Sequence, residues 1–196
     1  MRLIKQKKFW IFDMDGTLTL AVHDFPAIKK ELGTPLDMDI LQGISLMSEE
    51  EAEKAYRQLQ EIEFRLASIG KKSPGTAELL HVLEANERYL GILTRNNQIN
   101  TTETLRASEL DKFFLKEYII SRDDAQPKPN PEGIYILLDK WKASPNDAVM
   151  VGDYIFDLEA GKKAGLHTIY VDPTGEFVFR DQADFCVKQL GEVLEI

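Results

Sequence analysis

The 196-residue sequence contains a single cysteine, Cys186, so no disulfide can form within the chain. Cys186 stands between Phe185 and Val187, and this apolar context favours a buried thiol in a reducing compartment. No apolar run approaches the roughly 20 residues that a membrane-spanning helix needs, and the apolar stretch near the N-terminus is far shorter than a signal-peptide core. We therefore expect a cytoplasmic protein.

Positive charge is also scarce, since 33 Asp and Glu residues against 24 Lys and Arg residues give a formal net charge of -9. A polyanion would be repelled overall, so we expect neither a nucleic-acid nor a membrane partner. A phosphorylated ligand would need a local positive charge or a metal ion. The rest of the composition is ordinary, and the length allows one core domain with a modest insertion.

Strand-like and helical segments alternate along most of the chain. Short apolar runs rich in β-branched and aromatic residues predict strands at residues 9–12, 89–94, 118–120, 148–151, 168–171 and 185–187. Helix-length segments separate most of these strands. This pattern predicts an α/β fold with a doubly wound (Rossmann-like) parallel sheet.

The segment after the first strand has a different character, because it lacks strand-like runs. Ser48 and Glu51 form a capping-box pattern that opens a helix ending before Gly70. Its predicted apolar stripe is Ala52, Tyr56, Leu59, Ile62, Leu66 and Ile69. We therefore predict a small all-helical cap of residues 19–73, inserted into an α/β core formed by residues 1–18 and 74–196.

Polar residues that follow the strands are candidates for a site, because ligands bind beyond the carboxyl ends of strands in such a sheet. Asp13 and Asp15 follow the first strand, and two like charges this close need a cation or a shared proton. The residues that follow later strands are Thr94, Ser121 with nearby Lys128, Asp153 with Asp157, and Asp172. Carboxylates, a hydroxyl and a lysine at one edge of the sheet suit a magnesium ion and a phosphate.

Four of these segments, in this order, resemble the motifs of the haloacid dehalogenase superfamily. They are Asp13-Met14-Asp15-Gly16-Thr17-Leu18, Leu93-Thr94, Lys128-Pro129, and Gly152-Asp153-Tyr154-Ile155-Phe156-Asp157 followed by Ala160-Gly161 and Ala164-Gly165. The resemblance covers the whole chain, and the insertion is similar to the helical cap of the phosphoglycolate phosphatase-like branch, in a shorter form. It implies a Mg²⁺-dependent phosphatase that hydrolyses a small phosphorylated metabolite, a phosphomonoester, through an aspartyl phosphate.

The resemblance also implies a role for each acidic residue and for the lysine. Asp13 would be the nucleophile, and Asp15 would protonate the leaving oxygen and then activate a water molecule. Lys128 would hold Asp13 and a phosphoryl oxygen together. Mg²⁺ would be bound by the carboxylates of Asp13 and Asp153 and by the backbone carbonyl of Asp15, with Asp157 orienting these ligands.

Phosphate binding is implied for the segment that follows the second strand. The hydroxyl of Thr94 would donate to a phosphoryl oxygen, helped by backbone N–H groups near Arg95 and Asn96. Lys128 would contact the same phosphate. These residues complete the predicted site.

Several alternatives remain open at this point. Many relatives in this branch continue the first motif with an aspartate and a serine, where this chain has Leu20 and Ala21, so phosphoglycolate specificity cannot be transferred. A phosphomutase would use the same site. A phospho-receiver domain, which is not an enzyme, would carry its phosphorylated aspartate on a later strand and would lack the insertion. The sequence indicates neither the phosphoester nor the oligomeric state.

Overall fold

A sheet of parallel strands lies at the centre of the computed structural model, which describes residue 4 and residues 6–22 and 24–195. Its six strands within this range are β1 (Phe9–Phe12), β2 (Tyr89–Leu93), β3 (Ile119–Ile120), β4 (Ala148–Gly152), β5 (His167–Val171) and β6 (Phe185–Val187). Their spatial order is β3-β2-β1-β4-β5-β6, and all neighbours run parallel. The predicted doubly wound sheet is confirmed, and its strand order reverses between β1 and β4.

Helices cover both faces of this sheet and form the insertion. In the described residues they are α1 (Phe25–Leu32), α2 (Ile40–Ser45), α3 (Glu49–Ser68), α4 (Thr76–Ala85), α5 (Gln98–Ala107), α6 (Glu132–Trp141) and α7 (Ile155–Lys163). Helices α4 and α5 pack on one face, and α6 and α7 on the other. No helix within the described residues is both long enough and apolar enough to cross a membrane.

The central strand β1 is apolar at every position because both of its faces are covered. Trp10 and Phe12 point into the layer formed with α4 and α5, whereas Phe9 and Ile11 point into the layer formed with α6 and α7. All four side chains are buried. Alternate residues of a strand face opposite sides, so an uninterrupted apolar run is what a strand between two helical layers requires.

Between β1 and α4, the helices α1, α2 and α3 pack around their own apolar cluster. Its buried members are Ile28, Leu32, Ile44, Ala55, Leu59 and Ile62. The predicted capping box of Ser48 and Glu51 is present at the start of α3. The predicted stripe was wrong at Tyr56 and Ile69, which are 42% and 56% exposed. Helix α3 turns Ala55 rather than Tyr56 towards the cluster, and it ends at Ser68, before Ile69.

The two ends of the insertion lie side by side, beyond the carboxyl end of the central strand β1. Thr19 and Lys72 form an antiparallel bridge, and the Ser73 N–H donates to the Leu18 carbonyl at 2.9 Å. The chain therefore leaves and re-enters the core at almost the same place. The predicted division into core and cap stays a prediction, and residues 1–3, 5, 23 and 196 of the predicted domains lie outside the described residues.

The cluster of the insertion gives a test of its packing. Ile62→Ala should lower the free energy of unfolding by about 2–5 kcal/mol, because the Ile62 side chain is only 4% exposed and its loss leaves a cavity. Ile69→Ala makes the same change at an exposed position and should cost at most about 0.5 kcal/mol. Urea unfolding followed by circular dichroism measures both values, and equal losses would contradict this arrangement of α3.

Candidate active site

The chain turns sharply after β1 and brings the loop against the residue that follows β4. The Asp13 N–H donates to the Val151 carbonyl at 2.9 Å, which extends the pairing of β1 with β4. Gly16 has a φ of +88°, and a Cβ at this position would lie 2.3 Å from Oδ2 of Asp153. Thr17 Oγ1 donates to Asp153 Oδ1 at 3.2 Å. Only glycine permits both this backbone conformation and this close approach.

Lys128 lies in the interior between two carboxylates. Its Nζ donates to Oδ1 of Asp13 and lies 2.6 Å from Oδ1 of Asp157. Only 3% of the Lys128 side chain is exposed. Burial by itself would lower the pKa of Lys128, but the negative charges of Asp13 and Asp157 outweigh it and raise the pKa above its ordinary value. The buried group is therefore an ammonium ion held by two carboxylates.

A third carboxylate, that of Asp153, joins these two. One oxygen from each of Asp13, Asp153 and Asp157 lies within 4.8 Å of the others. Burial, together with the negative charges of Asp13 and Asp157, raises the pKa of Asp153 to about 8. Burial also raises the pKa of Asp157 to about 6, against the opposing charge of Lys128. Hard oxygen donors with an excess of negative charge could hold a divalent cation such as Mg²⁺.

Asp15 points from the same loop towards Asn96 and the insertion. Asn96 Nδ2 donates to Asp15 Oδ2 at 2.5 Å, and Asp15 lines a narrow pocket between the core and the insertion. Burial raises the pKa of Asp15 to about 6, while Lys128 and a hydrogen bond from Thr19 oppose the increase. A carboxyl group with such a pKa can both donate and accept a proton near neutral pH.

The predicted phosphate-binding residues lie beside these acids, in different environments. Thr94 is buried at the end of β2, and its Oγ1 accepts a hydrogen bond from the Asn96 N–H at 3.1 Å. The half-exposed guanidinium of Arg95 lies 5.2 Å from the Phe156 ring centroid and 4.0 Å from the Asp39 carboxylate of the insertion. Asn96 thus donates its backbone N–H to Thr94 and its side-chain amide to Asp15. Phosphate binding by this segment stays a prediction.

Comparison with known proteins matches residues 10–171 to the family described as haloacid dehalogenase-like hydrolase. The chain belongs to this hydrolase family. The haloacid dehalogenase-like hydrolase domain-containing protein of Arabidopsis thaliana is 32% identical over 206 residues, which cover 93% of this chain and 80% of that protein. The pyrophosphatase PpaX of Listeria welshimeri is 29% identical, over 95% of this chain and 94% of its own.

A solved structure from Haemophilus somnus, described as a predicted phosphoglycolate phosphatase, matches this haloacid dehalogenase-like hydrolase with a TM-score of 0.80. The match covers 97% of both chains at 19% identity, and it shows that the fold is shared. The family resemblance inferred from the sequence motifs is confirmed. Membership of a hydrolase family also removes the phospho-receiver alternative.

Two residues that follow strands of this hydrolase do not join the site. Asp172, after β5, accepts hydrogen bonds from the backbone N–H groups of Thr174 and Phe177, at 3.0 and 2.6 Å. Ser121, after β3, contacts Asp124 through its hydroxyl. Both side chains stabilise turns, which is a common reason for polar residues at the end of a strand.

Two residues of the candidate site, Thr17 and Glu63, were not predicted from the sequence. Thr17 donates to Asp153, and its place within the first motif was the available signal. Glu63, on α3, borders the same pocket as Asp15. The sequence contains no comparable signal for Glu63, which reads there as one of many polar residues on a surface helix.

The crowded carboxylates should destabilise the metal-free protein at high pH. The pKa of Asp153 is about 8 in the folded protein and 3.8 ordinarily, so the folded chain retains a proton that the unfolded chain releases. The resulting stability is complete below about pH 4 and is lost as the pH rises through about 8. Asp153→Asn removes this dependence. Its thermal midpoint in chelator should exceed that of the wild type, by a margin that grows from about pH 4 to about pH 8.

Differential scanning calorimetry across this pH range measures the margin, with about 2–4 °C expected for each kcal/mol in a protein of this size. Asp181→Asn makes the same change on an exposed aspartate and serves as the matched control, with no gain expected. If Asp153→Asn had a lower thermal midpoint than the wild type near pH 8, the ionised Asp153 carboxylate could not be a source of instability in the metal-free protein.

Proposed function

We propose that this hydrolase is a Mg²⁺-dependent phosphatase that cleaves small phosphomonoesters through an aspartyl phosphate on Asp13. One observation carries the proposal: the Asp13 carboxylate is paired with the buried Lys128 at the end of the central strand, within 4.8 Å of two further carboxylates. A carboxylate can attack a phosphate only where nearby positive charge offsets their repulsion. The pyrophosphatase name of the Listeria relative supports a substrate with a phosphorus–oxygen bond to cleave.

In the first step, an oxygen of Asp13 attacks phosphorus, and the bond from phosphorus to the leaving oxygen breaks. Asp15 gives its proton to that oxygen, so that the product leaves as a neutral alcohol. In the second step Asp15 takes a proton from water, and the resulting hydroxide attacks the phosphorus of the aspartyl phosphate. Inorganic phosphate leaves and Asp13 is regenerated. The pKa of about 6 suits Asp15 to both transfers.

The chain offers a donor set that fits Mg²⁺. Asp153 has a raised pKa because burial and two neighbouring carboxylates disfavour its charge, and a cation would relieve this cost. Asp13, Asp153 and the backbone carbonyl of Asp15 would bind the ion, which when present offsets the charge of the phosphate. Asp157 would orient the set, because its oxygens already accept from Lys128 and from the Tyr154 N–H.

The insertion of residues 19–73 is proposed to act as a cap over this site. The pocket that begins at Asp15 is bordered by Leu20, Val22 and Leu66 from the insertion. The pocket is narrow, so the insertion would have to move to admit a leaving group. An insertion attached at two adjacent points could open to admit the substrate and close to exclude bulk water.

The test is phosphate release from p-nitrophenyl phosphate by the purified protein. Turnover should require Mg²⁺ and should stop when a chelator is added. Asp13→Asn should lower the rate by about 10³-fold or more, because it removes the attacking carboxylate, while circular dichroism shows an unchanged fold. Asp181→Asn, an exposed aspartate, should behave like the wild type.

Two results would contradict the proposal. One is the absence of turnover across a broad panel of phosphoesters with Mg²⁺, with Asp13→Asn indistinguishable from the wild type. The other is isomerisation of a sugar phosphate without release of phosphate, which would indicate a phosphomutase at the same site.

A further inference from the structure

A charged contact joins the insertion to the core next to Asp15. The carboxylate of Glu63, on α3, accepts from Nη1 and Nη2 of Arg122 at 3.3 and 3.0 Å. It also accepts from Nδ2 of the buried Asn100, on α5, at 3.1 Å. The Glu63 and Arg122 side chains are only 12% and 27% exposed. A bidentate, partly buried pair of this kind is stronger than an exposed one, because it is geometrically fixed and shielded from solvent.

Arg122 is in turn connected to Asp15 through Asn96. The Arg122 N–H donates to the Asn96 carbonyl at 2.9 Å. The Asn96 N–H donates to Thr94 Oγ1 at 3.1 Å, so the backbone of Asn96 is fixed on both sides. Its side-chain amide then donates to Asp15 Oδ2 at 2.5 Å. A continuous series of contacts therefore runs from α3 of the insertion to the carboxylate of Asp15.

We propose that Glu63 is a positioning residue for Asp15: its ion pair with Arg122 holds the amide of Asn96 on the Asp15 carboxylate. The inference rests on the proposed function, in which Asp15 protonates the leaving oxygen. Glu63, Asn96 and Asp15 line one narrow pocket between the core and the insertion, so Glu63 forms its ion pair close to Asp15. Packing of α3 on the core thereby fixes the proton donor in place.

The chemistry of the leaving group distinguishes positioning from a merely structural role. Phenyl phosphate and p-nitrophenyl phosphate have almost the same shape, but phenolate is the poorer leaving group and depends more on protonation of its oxygen. Loss of the ordered Asp15 should therefore slow phenyl phosphate more than p-nitrophenyl phosphate. A general loss of structure would slow both substrates equally.

The experiment compares kcat/KM for the two substrates in Glu63→Gln, measured in the full chain with Mg²⁺. We expect a loss of about tenfold for phenyl phosphate and a loss below about threefold for p-nitrophenyl phosphate, a fraction of what a general acid contributes. Asp15→Asn should show the same pattern to a greater degree. Glu61→Gln, on the exposed side of the same helix, is the matched control and should change neither value.

Arg122→Lys is a second variant, which keeps the positive charge but loses the bidentate geometry, and it should reproduce the pattern of Glu63→Gln. Exchange of the two partners, Glu63→Arg with Arg122→Glu, should recover part of the loss, because the Asn100 amide can turn its oxygen towards the new guanidinium. Equal losses for both substrates in Glu63→Gln and Arg122→Lys would overturn the inference.

A measurement that does not need turnover separates this inference from the proposed function. The side-chain amide protons of Asn96, assigned in ¹⁵N spectra with Asn96→Asp, should shift and exchange faster with water in Glu63→Gln than in the wild type. Unchanged Asn96 signals would overturn the positioning role. The wild type could also prove inactive while the Asn96 signals respond to Glu63→Gln as expected. That result would overturn the phosphatase proposal but would support the link from Glu63 through Arg122 to Asn96.

Discussion

The structure depends on a crowding of acidic groups at the end of β1, where one ammonium, that of Lys128, lies among three carboxyl groups. Burial of ionised groups is costly unless they are paired, and here Lys128 pairs with Asp13 and Asp157 while Asp153 lies within 4.8 Å of both. The backbone keeps these groups together, because β1 and β4 are neighbours in the sheet and Gly16 has no Cβ to separate their loops. The cost falls on the stability of the metal-free protein, and the same crowding gives a set of oxygen donors that could hold a divalent cation.

The topology of the sheet explains why residues so distant in the sequence meet there. Strand β1 lies between β2 and β4, so the loops that follow these three strands share one edge. The strand order reverses beside β1, which leaves a crevice that no crossover helix covers. The insertion leaves the core at this edge, and its helix α3 packs against α5 close to the crevice. Core and insertion therefore both border the pocket at Asp15.

Much of the fold and part of the site could be predicted from the sequence, because their signals are local. The apolar run Phe9–Phe12 indicates a strand covered on both faces. Asp13 and Asp153 could be selected because they follow strands and match motifs, and Lys128 because it matches a motif. Asp172 was also selected because it follows a strand, but it stabilises a turn. A local pattern cannot distinguish an aspartate that binds a ligand from one that accepts hydrogen bonds from nearby backbone N–H groups. Glu63 and Arg122 could not be predicted, because their pairing depends on how α3 packs against the core.

The adjacent attachment points of the insertion have an evolutionary consequence. Leu18 and Ser73 are hydrogen-bonded neighbours, so the core would close with a short turn in place of the entire insertion. A segment joined in this way can lengthen, shorten or be exchanged without strain on the strands that hold Asp13. The insertion, which lines the pocket at Asp15, and the part that carries the acidic cluster can thus diverge at different rates. Such an attachment lets the insertion change while the acidic cluster of the core stays the same.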